Sequence, residues 1–347
     1  MTGDIVAGRA ARARRPAVMM DVARLAGVSH QTVSRVLNAH PSVRRETRER
    51  VLAAMRELAY KPNSAARALV TNRSWTLGLV TYDTTLVGPS FMVYAVERAA
   101  RLADYFVSIA SARSLAAPSV AEAVRRLSKQ AVDGIITIAP LDSALTALAE
   151  VPADMPLVGV GVASAQGVAM VGVDNVEGAA SATRHLLGLG HDTVHHVAGP
   201  HGWPEARERL AGWRAALTDA GRPVPEPLVG DWSARSGYEA GRHLAADPGV
   251  TAVCCANDQT AIGVLRALSE AGRRVPADVS VVGFDDIPEA PFLSPPLTTV
   301  VQDFDHLGAC SVDMVVQQIS TGRRTVEHVR FPPRLVVRDS CAAPRPG

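Results

Sequence analysis

Nine short apolar runs rich in β-branched residues follow Trp75 and alternate with segments of helical periodicity. The runs are TLGLVTYD, FVSIASA, GIITIAP, PLVGVGV, VAMVGVDN, TVHHVAGP, TAVCCAND, VSVVGFDD and LTTVVQD. Strands that are apolar on both faces and are separated by helices belong to parallel sheets that helices cover on both sides. This alternation predicts an α/β core of two doubly wound parallel-sheet lobes.

Polar residues stand at the ends of several of these runs. Asp174, Asn257, Asp258 and Asp285 each come directly after an apolar stretch or close it. The carboxyl ends of parallel strands meet at one edge of a sheet, and open α/β folds bind their ligands at that edge. We therefore expect these side chains to line a ligand cleft.

The segment from Met20 to Tyr60 has a different pattern, because its apolar residues recur at helical spacing in three short bursts. Gly27 ends the first burst, and Ser29 is a good N-cap for the second, since its hydroxyl can accept from a free backbone N–H. The turn between the two helices is about three residues long. This segment is predicted to be a small all-α helix-turn-helix head.

The net charge of +2 conceals an asymmetry along the chain. Through Asn72 there are thirteen Lys or Arg residues and five acidic residues, a net charge of +8, so the remaining 275 residues carry −6. A short basic module joined to a mildly acidic body indicates a polyanionic partner for the module alone. A solvated basic face is the alternative.

The second predicted helix has an apolar and a polar side. Val33, Val36 and Leu37 face the core, and the opposite side near the helix N-terminus carries His30, Gln31, Ser34 and Arg35. In helix-turn-helix proteins this end of the helix enters the major groove of DNA. A solvated amphipathic helix remains the alternative, but the short turn and the positive charge favour DNA binding.

The polar side chains of this helix suit DNA contacts of two kinds. Gln31 can bond adenine through two hydrogen bonds and Arg35 can bond guanine in the same way, so we expect base contacts from His30, Gln31 and Arg35. Thr32, Ser34 and Asn38 suit contacts to phosphates.

Other segments limit the class of protein. Residues 1–17 are rich in Ala, Arg and Gly without periodicity and are predicted to be a disordered basic arm. No apolar run approaches the roughly 18 residues that span a bilayer, and no apolar stretch follows the N-terminal arginines as it would in a secretory signal. We therefore expect a cytoplasmic protein with no membrane partner. The four cysteines lack disulfide-framework or metal-knuckle spacing and are expected to be reduced.

Catalytic and cofactor motifs are absent from the sequence, which has no G-x-S-x-G, no P-loop and no complete G-x-G-x-x-G. We expect neither enzymatic activity nor a cofactor. His191 and His195 have a spacing that would suit a metal on a helix, but they lie in a turn that enters a strand, where alternate residues point to opposite faces. No metal site is predicted.

Several stretches together resemble the LacI/GalR family of bacterial transcriptional repressors: DVARLAGVSHQTVSRVLN, YKPNSAARAL, ANDQTAIGVLRAL, VSVVGFDD and PPLTTVVQDF. The resemblance runs from about residue 18 to residue 338. It implies a DNA-binding head at 18–62, a hinge helix or linker at 63–74 that folds on the operator, and a periplasmic-binding-protein-like core at 75–347 that dimerises and binds a small effector. The implied N-lobe spans about 75–173 and 302–331, and the implied C-lobe spans about 174–301 and 332–347.

The resemblance also implies roles at matching positions. Asn63, Ala66 and Leu69 would contact the minor groove, with Leu69 as an apolar wedge that bends the duplex. Within the family, AGPHGWPEARERLAGW and GDWSARSGY are most similar to lac-type, galactoside-responsive repressors. That likeness implies an effector site built from Pro89, Ser90, Arg207, Trp232, Asn257, Asp285 and Phe304. The polar members would bond sugar hydroxyls, and Trp232 and Phe304 would pack on the ring.

Two positions depart from the lac-type pattern. Gly161 or a neighbour in VGVGV stands where an acidic hydroxyl-binding residue is expected, and Ile138 stands where an asparagine is expected. A pocket without these polar partners leaves open a galactoside, another sugar or a purine as the effector.

The expected protein is therefore a homodimeric repressor of a sugar-utilisation operon that a small sugar, first of all a galactoside, releases from a pseudopalindromic operator. No leucine heptad follows RLVVRDS, which favours a dimer over a helix-tethered tetramer. Two other classes are weighed against it. A periplasmic-type sugar carrier would carry a signal sequence and no head, and an enzyme on a doubly wound fold would carry a catalytic motif. Action with a corepressor also stays open.

Overall fold

The computed structural model describes residues 17–37, 40–60, 73–114, 116–138, 147–148, 151–162 and 167–345. The chain divides into two compact units between Ser74 and Trp75. The first unit is the helical head, and the second is the α/β core.

The head consists of helices α1 (Met19–Ala26), α2 (His30–Leu37) and α3 (Arg45–Glu57). Val22, Val33 and Val51, one from each helix, are fully buried and form the centre of a small apolar core. Gly27 ends α1 with φ +64°, a left-handed conformation that glycine adopts without strain. The predicted three-helix unit with a short turn is confirmed.

The core contains twelve strands and seven α-helices within the described residues. The strands are β1 (Thr76–Tyr82), β2 (Phe106–Ala112), β3 (Gly134–Ile138), β4 (Leu157–Val160), β5 (Ala169–Val173), β6 (His195–Ala198), β7 (Leu228–Val229), β8 (Ala252–Cys255), β9 (Ser280–Asp285), β10 (Thr298–Val301), β11 (His328–Phe331) and β12 (Arg334–Val336). The helices are α4 (Val87–Leu102), α5 (Ala117–Lys129), α6 (Asn175–Gly188), α7 (Pro204–Asp219), α8 (Ala234–Ala245), α9 (Asp258–Glu270) and α10 (Phe304–Thr321), and a 3-10 turn spans Ala290–Phe292.

The strands form two six-stranded sheets, one in each lobe. The N-lobe sheet has the order β11-β5-β4-β3-β1-β2, and its paired strands are parallel. The C-lobe sheet has the order β12-β10-β9-β8-β6-β7 and is parallel except for β12, which pairs antiparallel with β10. The chain passes between the sheets after β5, before α10 and after β11, so three segments connect the lobes.

All nine predicted apolar runs are strands, and the prediction of two doubly wound lobes is confirmed. Three strands were not predicted: β7, β11 and β12. They are two to four residues long and half exposed, so they lack the continuous apolar run of a central strand. One of them, β12, adds an antiparallel edge strand beside β10 to the otherwise parallel C-lobe sheet.

Helices α6 and α7 pack closely because of one glycine. A Cβ at Gly212 of α7 would lie 2.0 Å from the carbonyl oxygen of Val176 in α6. A backbone atom cannot move aside as a flexible side chain can, so this contact requires glycine. Since α7 carries two residues of the cavity described below, Glu205 and Arg209, Gly212 helps to set their position. Among the described helices, none has the length and apolar character needed to cross a bilayer.

Candidate functional site

One face of α2 presents the predicted DNA-reading surface of the head. His30, Gln31 and Arg35 are exposed, while Val33 and Val36 on the opposite side are buried. This separation follows from the helical period, because residues three and four positions apart share one face. The three side chains that the sequence predicts to read bases therefore lie together on an open helix face.

The start of α2 is capped as predicted. Ser29 Oγ accepts a hydrogen bond from the backbone N–H of Thr32 at 3.2 Å, and the two hydroxyls lie 2.9 Å apart. Thr32 and Ser34, the predicted phosphate contacts, are half-buried; Ser34 shares the face of His30, Gln31 and Arg35, and Thr32 lies beside it. Asn38 and the predicted minor-groove residues Asn63, Ala66 and Leu69 lie outside the described residues.

In the core, a cavity of about 390 Å³ lies where the carboxyl ends of strands from both lobes meet. Its C-lobe and connecting segments supply most of the polar lining: Asn175, Glu205, Arg209, Asn257, Asp285 and Gln302. Its N-lobe wall is mostly apolar and includes Leu86, Val87, Met92, Ile138, Val160 and Val173. A concave, largely apolar site with a few convergent polar groups is the usual form of a small-molecule site.

The centre of the polar lining is a buried ion pair. Arg209 and Asp285 are 5% and 6% exposed, and Arg209 Nη1 lies 3.5 Å from Asp285 Oδ1. Gln302 Nε2 donates to the same carboxylate oxygen at 2.6 Å. Burial raises the pKa of Asp285, and the positive charge of Arg209 opposes part of this rise. The carboxylate is thus oriented from two sides at the edge of the cavity.

Arg209 is fixed by further contacts. Its Nε donates to Asn175 Oδ1 at 2.8 Å, and its Nη1 also donates to the carbonyl oxygen of Ala256. The guanidinium lies over the ring of Phe284, 3.8 Å from its centroid. Such a guanidinium is preorganised, so a ligand would not have to order a flexible side chain.

Asp285 adopts an unusual backbone conformation at the end of β9, with φ +114°. Residues other than glycine rarely occupy this region, and the surrounding structure must hold them there. Here the contacts from Arg209 and Gln302 hold the side chain of Asp285, the residue with this backbone conformation. Such strain is found at ligand sites more often than elsewhere.

Asn257 has a capping role in addition to its place in the lining. Its Oδ1 accepts from the backbone N–H of Thr260 at 2.9 Å, which caps α9, and its Nδ2 donates to the carbonyl oxygen of Trp232 at 3.0 Å. The amide therefore joins the start of α9 to the aromatic wall.

Aromatic side chains form the rest of the wall. The rings of Trp203 and Trp232 meet edge to face with centroids 5.9 Å apart, and Phe304 makes a similar contact with Phe91 at 5.6 Å. Trp232 itself has φ +74° and is 9% exposed. Flat aromatic surfaces beside fixed polar groups suit a ligand with both C–H faces and hydroxyl edges.

Most of the predicted effector residues meet at this cavity: Pro89, Trp232, Asn257, Asp285 and Phe304 all line it. Ser90 does not, because its hydroxyl points back along α4 and donates to the carbonyl oxygen of Val87 at 2.9 Å. Gly161 and Ile138, where the sequence departs from the lac-type pattern, are both in the lining.

The prediction for Arg207 needs a correction, because this side chain is exposed and lies outside the cavity, whereas Arg209 lines it. Two positions along a helix are about 200° apart, so the two arginines point to opposite sides of α7. The buried Ala206 and Trp213, three and four positions from Arg209, mark the inward face. The spacing of these apolar residues in the sequence is sufficient to identify the inward face of α7.

Sequence reasoning also missed Trp203, Glu205 and Gln302, which line the cavity. Glu205 lies one turn before Arg209 on the same face of α7, so the helical phase that identifies Arg209 identifies Glu205 as well. Burial raises the pKa of Glu205. Outside the cavity, the His191 ring bonds Thr251 Oγ1 at 2.9 Å and Ser280 Oγ at 3.1 Å, and no His, Cys, Asp and Glu cluster of metal-site type occurs in the described ranges.

Comparison with known proteins gives two family matches. Residues 18–63 match "Bacterial regulatory proteins, lacI family", and residues 183–341 match "Periplasmic binding protein-like domain". The lactose operon repressor of Escherichia coli (strain K12) is 38% identical over 333 residues, which are 95% of this chain and 92% of that protein.

Solved structures agree with these matches. A lac repressor dimer bound to operator and the anti-inducer ONPF has a TM-score of 0.86 and 37% identity, covering 95% of this chain and 100% of that one. A complex of the transcriptional regulator CelR with cellobiose has a TM-score of 0.69 and 32% identity, covering 93% and 99%.

Proposed function

Because the chain belongs to the LacI family of bacterial regulatory proteins, we propose that it is a transcriptional repressor of a sugar-utilisation operon. In this proposal α2 reads the operator, and a small sugar in the core cavity releases the protein from DNA. The observation that carries the effector part is the preorganised pair of Arg209 and Asp285 beside the aromatic wall. As a DNA-bound regulator the protein would act in the cytoplasm, on the nucleoid.

The open face of α2 supports the DNA part of the proposal. His30, Gln31 and Arg35 offer hydrogen bonds suited to base edges, and the hydroxyls of Thr32 and Ser34 suit phosphates. Asn38 would add a phosphate contact, and Asn63, Ala66 and Leu69 would act in the minor groove.

The chemistry of the cavity supports a carbohydrate. Neighbouring hydroxyls need paired donors and acceptors, which the Arg209 guanidinium and the Asp285 carboxylate offer. The C–H face of a pyranose packs on aromatic rings, here Trp232 and Phe304. We propose a galactoside as the first effector to test; cellobiose, which the related CelR binds, makes glucosides the second.

Exposed apolar side chains support a homodimer. Leu102, at the end of α4, is 83% exposed, and Phe106 and Ile109 on the edge strand β2 are 75% and 51% exposed. Phe292 in the C-lobe is 86% exposed. Large apolar side chains exposed at the edge strand β2 and in the C-lobe indicate a protein interface, and a second copy of the chain would place two heads on two half-sites.

The DNA part is tested with an operator selected from random duplexes. Replacing Gln31 or Arg35 with Ala should weaken operator binding by about 1–3 kcal/mol and relax the preference at one base pair. Arg45→Ala, on α3, serves as the control, because loss of a positive charge that attracts DNA phosphates weakens binding to all sequences alike. Unchanged sequence preference in both α2 variants would contradict the assignment of α2.

The effector part is tested by adding galactosides and glucosides to the complex with operator. Binding of the effector should release the DNA, and operator DNA should weaken effector binding by the same factor, since coupling between two sites is reciprocal. A typical coupling of about 1–3 kcal/mol would appear as a 5- to 150-fold shift in both titrations. Hydrolysis of the sugar, or binding without any effect on DNA, would contradict the proposal.

A further inference from the structure

Two polar atoms at the cavity wall have no hydrogen-bond partner among the described residues, Glu205 Oε2 and Trp232 Nε1. Both belong to side chains that line the cavity. A buried polar group without a partner costs about 1–3 kcal/mol, and more when it is charged. Such a cost is expected where a ligand supplies the missing partner.

The two atoms have complementary character. A carboxylate oxygen only accepts hydrogen bonds, and an indole N–H only donates. A hydroxyl does both, so a single hydroxyl can donate to Glu205 and accept from Trp232. An ammonium group has no acceptor and would leave the indole N–H without a partner.

The fold brings these two side chains to the same wall. Glu205 and Arg209 lie one turn apart on the inward face of α7, and the Arg209 guanidinium is 5.4 Å from the centre of the Trp232 ring. Trp203, two positions before Glu205, packs edge to face with the same ring. The terminal torsion of a glutamate is soft, so its carboxylate can turn either oxygen toward a ligand.

The charges of the lining explain why Glu205 Oε2 lacks a partner among the described residues. Asp285 is the carboxylate that forms an ion pair with Arg209, whose remaining hydrogen bonds go to Asn175 and Ala256. Glu205 therefore interacts with the Arg209 guanidinium only by electrostatic attraction over a longer distance. It stays available as an acceptor for the effector.

We propose that Glu205 and the Trp232 indole N–H form a hydroxyl-binding pair that selects effectors with one hydroxyl at this point of the cavity. This inference rests on the proposed sugar-binding function and assigns the pair a separate role from Arg209 and Asp285. Glu205 is then a specificity-determining residue. A ligand with hydrogen or an amine in place of that hydroxyl leaves one or both atoms unsatisfied.

The test measures binding by calorimetry to the effector-free, full-length protein. The probes are methyl β-D-galactopyranoside and methyl β-D-glucopyranoside, and for whichever binds more tightly, its four monodeoxy analogues and its 2-amino analogue. The variants are Glu205→Gln, Glu205→Ala and Trp232→Phe. Glu208→Gln is the matched control, since Glu208 lies on the same helix, pairs with Arg330 at 3.1 Å and does not line the cavity.

We expect Glu205→Ala and Glu205→Gln to weaken binding of the parent glycoside about 10- to 100-fold, the range for hydrogen bonds to charged groups. Trp232→Phe keeps the aromatic face and should cost about 3- to 10-fold. One monodeoxy analogue should bind the wild type at least tenfold more weakly than its parent yet bind Glu205→Ala as well as the parent does. A purely structural role for Glu205 would weaken all analogues alike.

Three results would overturn the inference. Binding by the Glu205 variants equal to that of the wild type or to that of Glu208→Gln excludes a contact. Equal losses for every deoxy analogue in wild type and Glu205→Ala exclude a specific hydroxyl. Binding of the 2-amino analogue that is tighter than binding of the parent glycoside, and that is lost in Glu205→Gln, assigns the site to a cation. Absence of binding by either glycoside series to the wild type refutes the proposed sugar effector itself. Near-ultraviolet circular dichroism of each variant checks that it is folded.

Discussion

The buried pair of Arg209 and Asp285 gives a prediction whose size follows from the structure. Arg209→Met removes the guanidinium from a site where Asp285 is 6% exposed. Asp285 then keeps only the Gln302 donor, while Asn175 Oδ1 and the Ala256 carbonyl each lose a bond. Leaving one buried charge without its partner costs about 3–5 kcal/mol of unfolding free energy.

The coupling between the two charges is smaller than the cost of breaking the pair. At the observed 3.5 Å and an effective dielectric constant of about 20, the Coulomb energy is about 5 kcal/mol, an upper limit. Gln302 also donates a hydrogen bond to Asp285, and Arg209 also donates one to Asn175. Each charge is therefore partly stabilised by a neutral partner, so we expect a coupling energy between the two charges of about 1–3 kcal/mol. The double variant Arg209→Met with Asp285→Asn should therefore lose less than the sum of the single variants by that amount.

Urea unfolding at one fixed protein concentration, without effector, measures all four forms of this cycle. The matched control is the exposed pair Arg222 and Asp192, which are closer at 3.1 Å but 43% and 94% exposed. Solvent screening should limit its coupling to about 0.2–1 kcal/mol. If the core pair were additive within about 0.5 kcal/mol, or no more strongly coupled than the surface pair, burial would not be what gives the ion pair its strength.

Two further predictions concern packing and pH. Gly212→Ala should destabilise the core by about 1–3 kcal/mol, because its Cβ would lie 2.0 Å from the Val176 carbonyl oxygen, whereas Gly188→Ala, with no atom within 4 Å, should be neutral or slightly stabilising; equal thermal shifts would contradict this. Burial, with a further contribution from the charge of Asp285, raises the pKa of Asp258 to about 7. The folded protein then holds this proton more tightly than the unfolded chain, so the stability that the proton provides below about pH 4 is lost as the pH rises to about 7. The stability of the wild type relative to Asp258→Asn should fall over that interval, and a constant difference in urea midpoints would refute the raised pKa.

Much of the fold was readable from local patterns. The nine apolar runs are all strands, and the three bursts of the head are all helices, because burial on both faces of a sheet or on one face of a helix imposes a period on the sequence. The three missed strands are short and lie at or near sheet edges, where half-exposed residues carry little of that signal. The exposed face of α2 was predictable for the same reason, since it depends only on residues within one helix.

The cavity depends on contacts between residues far apart in the chain. Sequence alone determined that polar residues end several strands and that the chain resembles one family, and this placed Asn257 and Asp285 at the carboxyl edge of their sheet. Only the tertiary structure decided that the inward face of α7, with Arg209, borders the cavity, that Gln302 shares Asp285 with Arg209, and that Glu205 and Trp232 are left with unsatisfied atoms. A hydrogen bond forms only when donor and acceptor come within about 3 Å of each other. The partners of Asp285 in this site are 17 and 76 residues away from it in the sequence, so only the folded chain brings them to that distance.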